Sequence, residues 1–172
     1  MYSIIYADPP WRYDFCNNNN NRIEKHYPTM TTEEICALKI PANDNAVLYL
    51  WATAPKLIEA LKVMEAWGFS YKTHCVWDKT WIGIGYWFRG QHELLLVGVK
   101  GEFSPPERTS RVSSVYREKK SRHSKKPDYF RDMIDKSFNK ELKKLELFCR
   151  YPKAGWDVWG NEVKSDIEIG FK

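Results

Sequence analysis

At 172 residues the chain has room for one ordinary core and not for two full domains. Lys and Arg outnumber Asp and Glu by 27 to 22, a formal net charge of +5 that suits a nucleic-acid partner and excludes a histone-like polycation. No apolar run reaches membrane-spanning length, no cleavable leader is seen, and Cys16, Cys36, Cys75 and Cys149 show neither paired nor metal-ligand spacing, so a soluble, cytoplasmic chain with reduced thiols and no metal is expected.

Ser3 to Ala7 is short, apolar and β-branched, and two prolines close it, which predicts a strand delivering Asp8-Pro9-Pro10-Trp11 to its carboxyl end. Open α/β sheets place ligands there. The arrangement suits methylation of an exocyclic amine, a poor nucleophile because its lone pair is delocalised into the ring. The Asp8 carboxylate and the Pro9 carbonyl would accept the two amine hydrogens. Proline geometry fixes where that carbonyl points, a form of electrostatic preorganisation. Trp11 would offer a stacking face to a flipped base, or simply fill the core.

Residues 12–28 carry the Asn17 to Asn21 tract and read as a flap over the site. Thr31-Thr32-Glu33-Glu34 is a capping box opening a short helix to Leu38. Ala46 to Trp51 reads as a buried strand. Leu57, Ile58, Leu61, Met64 and Trp67 then fall at helical spacing, between Pro55 and Gly68. Tyr71 to Trp77 predicts the next strand. Loop 80–91 interleaves Trp81, Tyr86, Trp87 and Phe88 with glycines and Arg89, which reads equally as a base-stacking surface or as an apolar patch for a partner subunit. His92 to Val99 is a further strand. The basic segment 102–125 follows, either a solvated loop or one that tracks phosphates. A helix starts at Pro127-Asp128, with Phe130, Met133, Ile134 and Phe138 inward; Leu142 to Phe148 is a strand and Val158 to Val163 a short strand or turn. Residues 164–172 form a tail without pattern.

The motifs Ala7-Asp8-Pro9-Pro10-Trp11, Tyr27-Pro28-Thr29-Met30, Leu48 to Trp51, Val76-Trp77-Asp78-Lys79, His92 to Gly101, Ser124 to Asp128, Glu146 to Arg150 and Trp156 to Glu162 occur in one order. Together they resemble the MT-A family of S-adenosylmethionine-dependent adenine-N6 methyltransferases. That family includes the catalytic subunit of the eukaryotic mRNA N6-adenosine methyltransferase and bacterial and phage DNA adenine methyltransferases. The resemblance runs from about residue 3 to 163. It implies a Rossmann-like α/β class I methyltransferase fold, circularly permuted, with the catalytic motif first, the cofactor motif last, and a mostly parallel sheet between helices in a single domain, 1–172. It implies catalysis by Asp8, Pro9, Pro10 and Trp11. S-adenosylmethionine would be held by Asp8, Lys126, Phe148, Arg150, Asn161 and Glu162, and substrate by Tyr27, Lys79, Arg89 and Glu93. Glu93 paired with Arg89 or Lys79 is the plain alternative. Where the eukaryotic enzyme has His-Asn after the Arg, this chain has Pro152-Lys153, so those contacts do not carry over. DNA is the preferred acceptor over RNA. A homodimer, a partner subunit and a catalytically silent nucleic-acid-binding role stay open.

Overall fold

The structure is a computed structural model, and it describes residues 1–13, 28–120 and 125–172. Seven strands form one sheet: β1 (Tyr2–Ala7), β2 (Ala42–Ala52), β3 (Ser70–Asp78), β4 (His92–Lys100), β5 (Val115–Arg117), β6 (Lys144–Leu147) and β7 (Asp157–Trp159), in spatial order β5-β3-β4-β2-β1-β6-β7. Every pairing is parallel except those of β4 with β2 and β3. The sheet is therefore mostly parallel, as expected. Its parallel strands all end at one edge, where Asp8 and Asp78 emerge.

Strand alternation divides the core. Ile5, Ala7, Leu48, Leu50, Leu94 and Leu96 face one cluster, while Ile4, Tyr6, Val47, Tyr49, Trp51 and Leu95 face the other. Both faces being buried explains why β1 and β2 read as continuous apolar runs. On the first face lie α1 (Thr32–Cys36) and α2 (Leu57–Ala66). Both halves of the Thr31/Glu34 capping box form, with the Glu34 N–H donating to Thr31 Oγ1 at 3.1 Å and the Thr31 N–H to Glu34 Oε2 at 2.7 Å. Pro55 sits in a 3₁₀ turn (Ala54–Lys56) that leads into α2. The inward stripe of α2 differs in part from the one expected. Ala60, Val63 and Met64 are buried and Leu57 and Leu61 pack beside them, but Ile58 points to solvent.

On the opposite face α3 (Tyr129–Ser137) buries Phe130 and Ile134 fully and packs Met133 and Phe138 partly, as its spacing implied. Each fully buried side chain of that size contributes about 1.5–3 kcal/mol. Two segments are more ordered than their composition suggested. The basic stretch contributes β5, which adds to the edge of β3. The tail packs Ile167 and Ile169 on the first cluster and bonds to the α1 exit, Lys172 N to Ala37 O at 2.7 Å and Lys39 N to Gly170 O at 2.9 Å. The Asn17 to Asn21 tract, Cys16 and the proposed flap up to Tyr27 lie outside the described residues. Among the described residues no helix is long and apolar enough to cross a membrane.

Candidate active site

Ala7 is in register with Leu50 of β2 and Leu147 of β6, so Asp8 leaves the sheet between them. From β1 the chain runs to β2 on one side, and β6 runs to β7 on the other. This divergence opens a crevice at the strand ends. The Pro-Pro turn that forms its lip is pinned from both sides. Met30 N donates to Pro10 O at 2.8 Å, Arg12 N to Met30 O at 3.1 Å, and Trp11 N to Pro9 O at 2.9 Å. A carbonyl oxygen has two lone pairs, so this last bond does not exhaust Pro9 as an acceptor. Of the two roles the sequence offers, Trp11 takes the core one and not the stacking one. It is buried in the first cluster, its indole N–H donating to Trp51 O at 3.2 Å, so it anchors the turn and shows no open stacking face. Burial with a satisfied indole donor is the favourable state for so large a ring.

Three charges from distant parts of the sequence meet behind Asp8. Lys126 Nζ lies 2.7 Å from Asp8 Oδ2 and 3.3 Å from Glu93 Oε2, and Lys79 Nζ lies 3.2 Å from Glu93 Oε1. The Lys126 ammonium also stands over the Trp51 ring, 5.4 Å from its centroid. Burial, the largest influence on Asp8, raises its pKa above the ordinary aspartate range despite the opposing pull of Lys126. For Glu93 burial again pushes upward, but Lys126 and Lys79 outweigh it and the pKa falls. For Lys126 burial works downward, and the two carboxylates outweigh it, so the ammonium is held more firmly than usual. Glu93 and Lys79 thus enter the site through Lys126, and Glu93 pairs with Lys79, one of the two partners the sequence offered.

The other wall comes from β6 and β7. Phe148 has a φ of 58°, a left-handed conformation uncommon for a bulky residue, and its ring meets Trp159 edge-on at 5.3 Å between centroids. This bend swings Cys149 and Arg150 across the strand end, where Cys149 N donates to Trp159 O at 3.0 Å. Gly160 permits the close approach: a Cβ there would lie 2.4 Å from Cys149 O. Beyond it stand Asn161 and Glu162, and Glu162 Oε1 pairs with Arg150 Nε at 3.2 Å. Two adjoining hollows of about 410 and 520 Å³ share Asp8, Phe148 and Arg150. The larger is walled by Pro10, Pro28, Met30 and Trp159 and reaches Asn161 and Glu162; the smaller reaches Lys126 and Tyr151.

Asp8, Pro10, Lys126, Phe148, Arg150, Asn161 and Glu162 therefore come together at one cleft, with buried Pro9 in its lip. Arg89 does not join them; it lies out on loop 80–91, its Nε donating to Gly83 O at 2.7 Å. Tyr27 lies outside the described residues. Sequence reasoning missed Arg131 and Glu146, which line the smaller hollow and pair at 2.8 Å. Arg131 also donates to Tyr151 O at 2.7 Å and pairs with Asp128, tying α3 to the loop after β6. The available signals were Glu146 inside a quoted motif and an arginine flanking the buried Phe130.

A mostly parallel, doubly covered sheet with an acid and two cations at a strand-end crevice defines a Rossmann-like α/β fold whose candidate site lies where such folds bind ligands. Comparison with known proteins narrows the class. The chain belongs to the MT-A70 family of methyltransferases, whose family model matches residues 2–162. It is 34% identical to a type II methyltransferase, M.MunI, from Mycoplasma sp, over 98% of this chain and 81% of that one. It is 28% identical to the human N(6)-adenosine-methyltransferase catalytic subunit METTL3 over 94% of this chain, which spans 28% of that protein. Identity to the N6-methyladenosine RNA methyltransferase MTA1 of Pyricularia oryzae is 29%, covering 94% of this chain and 47% of the relative.

Proposed function

We propose that this MT-A70 methyltransferase transfers the methyl group of S-adenosylmethionine to the N6 amino group of adenine in DNA, in the cytoplasm of a bacterial or phage-infected cell. The observation that carries the reading is Asp8 at the junction of two hollows, its Oδ2 already held by Lys126. Bound, the cofactor supplies an electrophilic sulfonium methyl. The residues present fit it: an apolar slot between Pro10, Met30, Phe148 and Trp159 for the adenine ring, Asn161 and Glu162 for ribose hydroxyls, and Lys126 with Arg150 for the carboxylate. With Lys126 on Oδ2, Asp8 Oδ1 and the Pro9 carbonyl take the two amine hydrogens. They draw the lone pair out of the ring and hold the nitrogen toward the cofactor side. Orientation of two bound reactants then supplies a large part of the barrier reduction.

Residues 1–172 act as one methyltransferase domain in this reading, and the order of catalytic strand β1 before cofactor strands β6 and β7 supports a circularly permuted arrangement. DNA is preferred because the match to the bacterial type II methyltransferase spans most of both chains, whereas the adenosine-modifying relatives are far longer than this chain. The test is transfer of label from S-adenosylmethionine to single-stranded DNA, duplex DNA and RNA in parallel, with products digested to nucleosides. The expected label is in N6-methyldeoxyadenosine. Label in RNA alone defeats the DNA assignment, and no label in any acceptor defeats the reading.

A further inference from the structure

The loop between β3 and β4 carries the largest group of exposed apolar rings in the described molecule. Tyr86, Trp87 and Phe88 are 106, 94 and 88% exposed, and Trp81, Ile82 and Ile84 stand beside them. The backbone beneath is folded tightly on itself. Gly83 N donates to Gly90 O at 2.8 Å, Arg89 Nε to Gly83 O at 2.7 Å, and a Cβ on Gly85 would lie 2.1 Å from Phe88 O. The rings face solvent. Asp78 clamps the base of the loop, accepting from Thr80 N and Gln91 Nε2 at 2.8 Å each and from Arg117 Nε at 2.8 Å. Those bonds, the Gln91 amide first among them, hold its pKa at about 2.

Exposed aromatic groups of this kind mark interaction surfaces. What surrounds this one selects the partner. The loop itself holds Arg89 and no acid. β5 pairs Arg117 with Asp78 at the foot of the loop, and the exposed cations Arg108, Arg111, Lys119 and Lys120 lie in the same basic segment, whose acids among the described residues are Glu102, Glu107 and Glu118. The loop also begins next to Lys79, which three successive ion pairs link to Asp8 by way of Glu93 and Lys126. Rings flanked by cations on the same sheet edge as the cleft match a polyanion whose bases are unstacked, whereas the core of a protein interface is depleted in charge.

We infer that residues 81–88 form a stacking platform for unpaired bases of the DNA strand that flank the target adenine. The inference rests on the proposed function for the identity of the acceptor. It assigns to this loop the ring contact with DNA that buried Trp11 does not offer.

The experiment uses the whole protein and a fluorescein-labelled single-stranded oligodeoxynucleotide containing adenine, with binding read by anisotropy. A matched RNA strand, sedimentation and S-adenosylmethionine affinity are measured alongside. Replacing Tyr86, Trp87 and Phe88 together by Ala is expected to weaken the DNA strand at least about tenfold. Sedimentation mass, circular dichroism and cofactor affinity should not change. Unchanged DNA affinity, absence of strand binding in the wild type, or tighter binding of the RNA strand overturns the inference. A fall in mass in the variant also overturns it, because the loop is then an interface between copies. Loop-dependent binding without methyl transfer would refute the proposed function and leave the platform standing; methylation with binding indifferent to the loop would do the reverse.

Discussion

The cleft and the aromatic loop stand at the same edge of the sheet and are built on opposite rules. In the cleft the charges are partly or largely buried except for exposed Glu162, and each carboxylate has a cation within 3.3 Å: Asp8 and Glu93 with Lys126, Glu93 with Lys79, Glu146 with Arg131, Glu162 with Arg150. In the loop the groups that water avoids are left out in it. A buried charge must be paired before any ligand arrives, because an isolated one would cost too much. An exposed ring can wait for its ligand at far smaller cost. The cleft is thus preorganised by folding, and the loop is a surface completed by binding.

Breaking the cleft should therefore damage the fold, and breaking the loop should not. Arg131→Ala leaves Glu146 buried without its cation and should lower unfolding free energy by about 3–5 kcal/mol in urea titration. The triple loop variant should stay within about 0.5 kcal/mol of wild type. Asp8→Ala should cost methyl transfer roughly 100-fold or more, the scale of losing one preorganised polar contact to the reacting group. Gly98→Ala probes the packing behind both regions. A Cβ there would lie 2.6 Å from the Met64 sulfur, in a fully packed core, and should cost about 1 kcal/mol, the low end for overpacking because a thioether can adapt.

The smallest effect concerns pH and sharpens the electrostatic half of the contrast. Asp8 must be ionised to accept the amine, and burial raises its pKa while Lys126 lowers it. Activity should fall as pH drops through a value above the usual aspartate pKa. Lys126→Met removes the stabilising cation, so the acid limb of kcat/KM should move to higher pH still. A limb that stays in place or moves down would mean that Lys126 does not govern the ionisation of Asp8.

Much of the fold was legible because local signals and burial agreed. The capping box at Thr31, the Phe130/Ile134 stripe and the apolar runs of β1 and β2 each state which face is covered. β5 was not legible, since Val115-Tyr116-Arg117 is three residues in a basic stretch and becomes a strand only because the edge of β3 lies beside it. The tail likewise gains order from α1 rather than from its own pattern. At the site, Asp8 and the end of β7 could be found because motifs carry them. The Lys79-Glu93-Lys126 chain depends on three elements converging, which residue spacing does not encode. Trp11 shows the same limit: whether an aromatic three residues after Asp8 stacks on a base or fills the core is decided only when its indole is seen to bond Trp51 O.

The most direct test of this division of labour is single-turnover methyl transfer at saturating S-adenosylmethionine, with the DNA concentration varied, for wild type, Asp8→Ala and the triple loop variant. The expected result is that Asp8→Ala loses rate even at saturating DNA, while the loop variant reaches the wild-type limiting rate and needs about tenfold more DNA to do so. The opposite pattern, a limiting rate that depends on the loop and a DNA requirement that depends on Asp8, would contradict the assignment of chemistry to the cleft and of DNA to the rings.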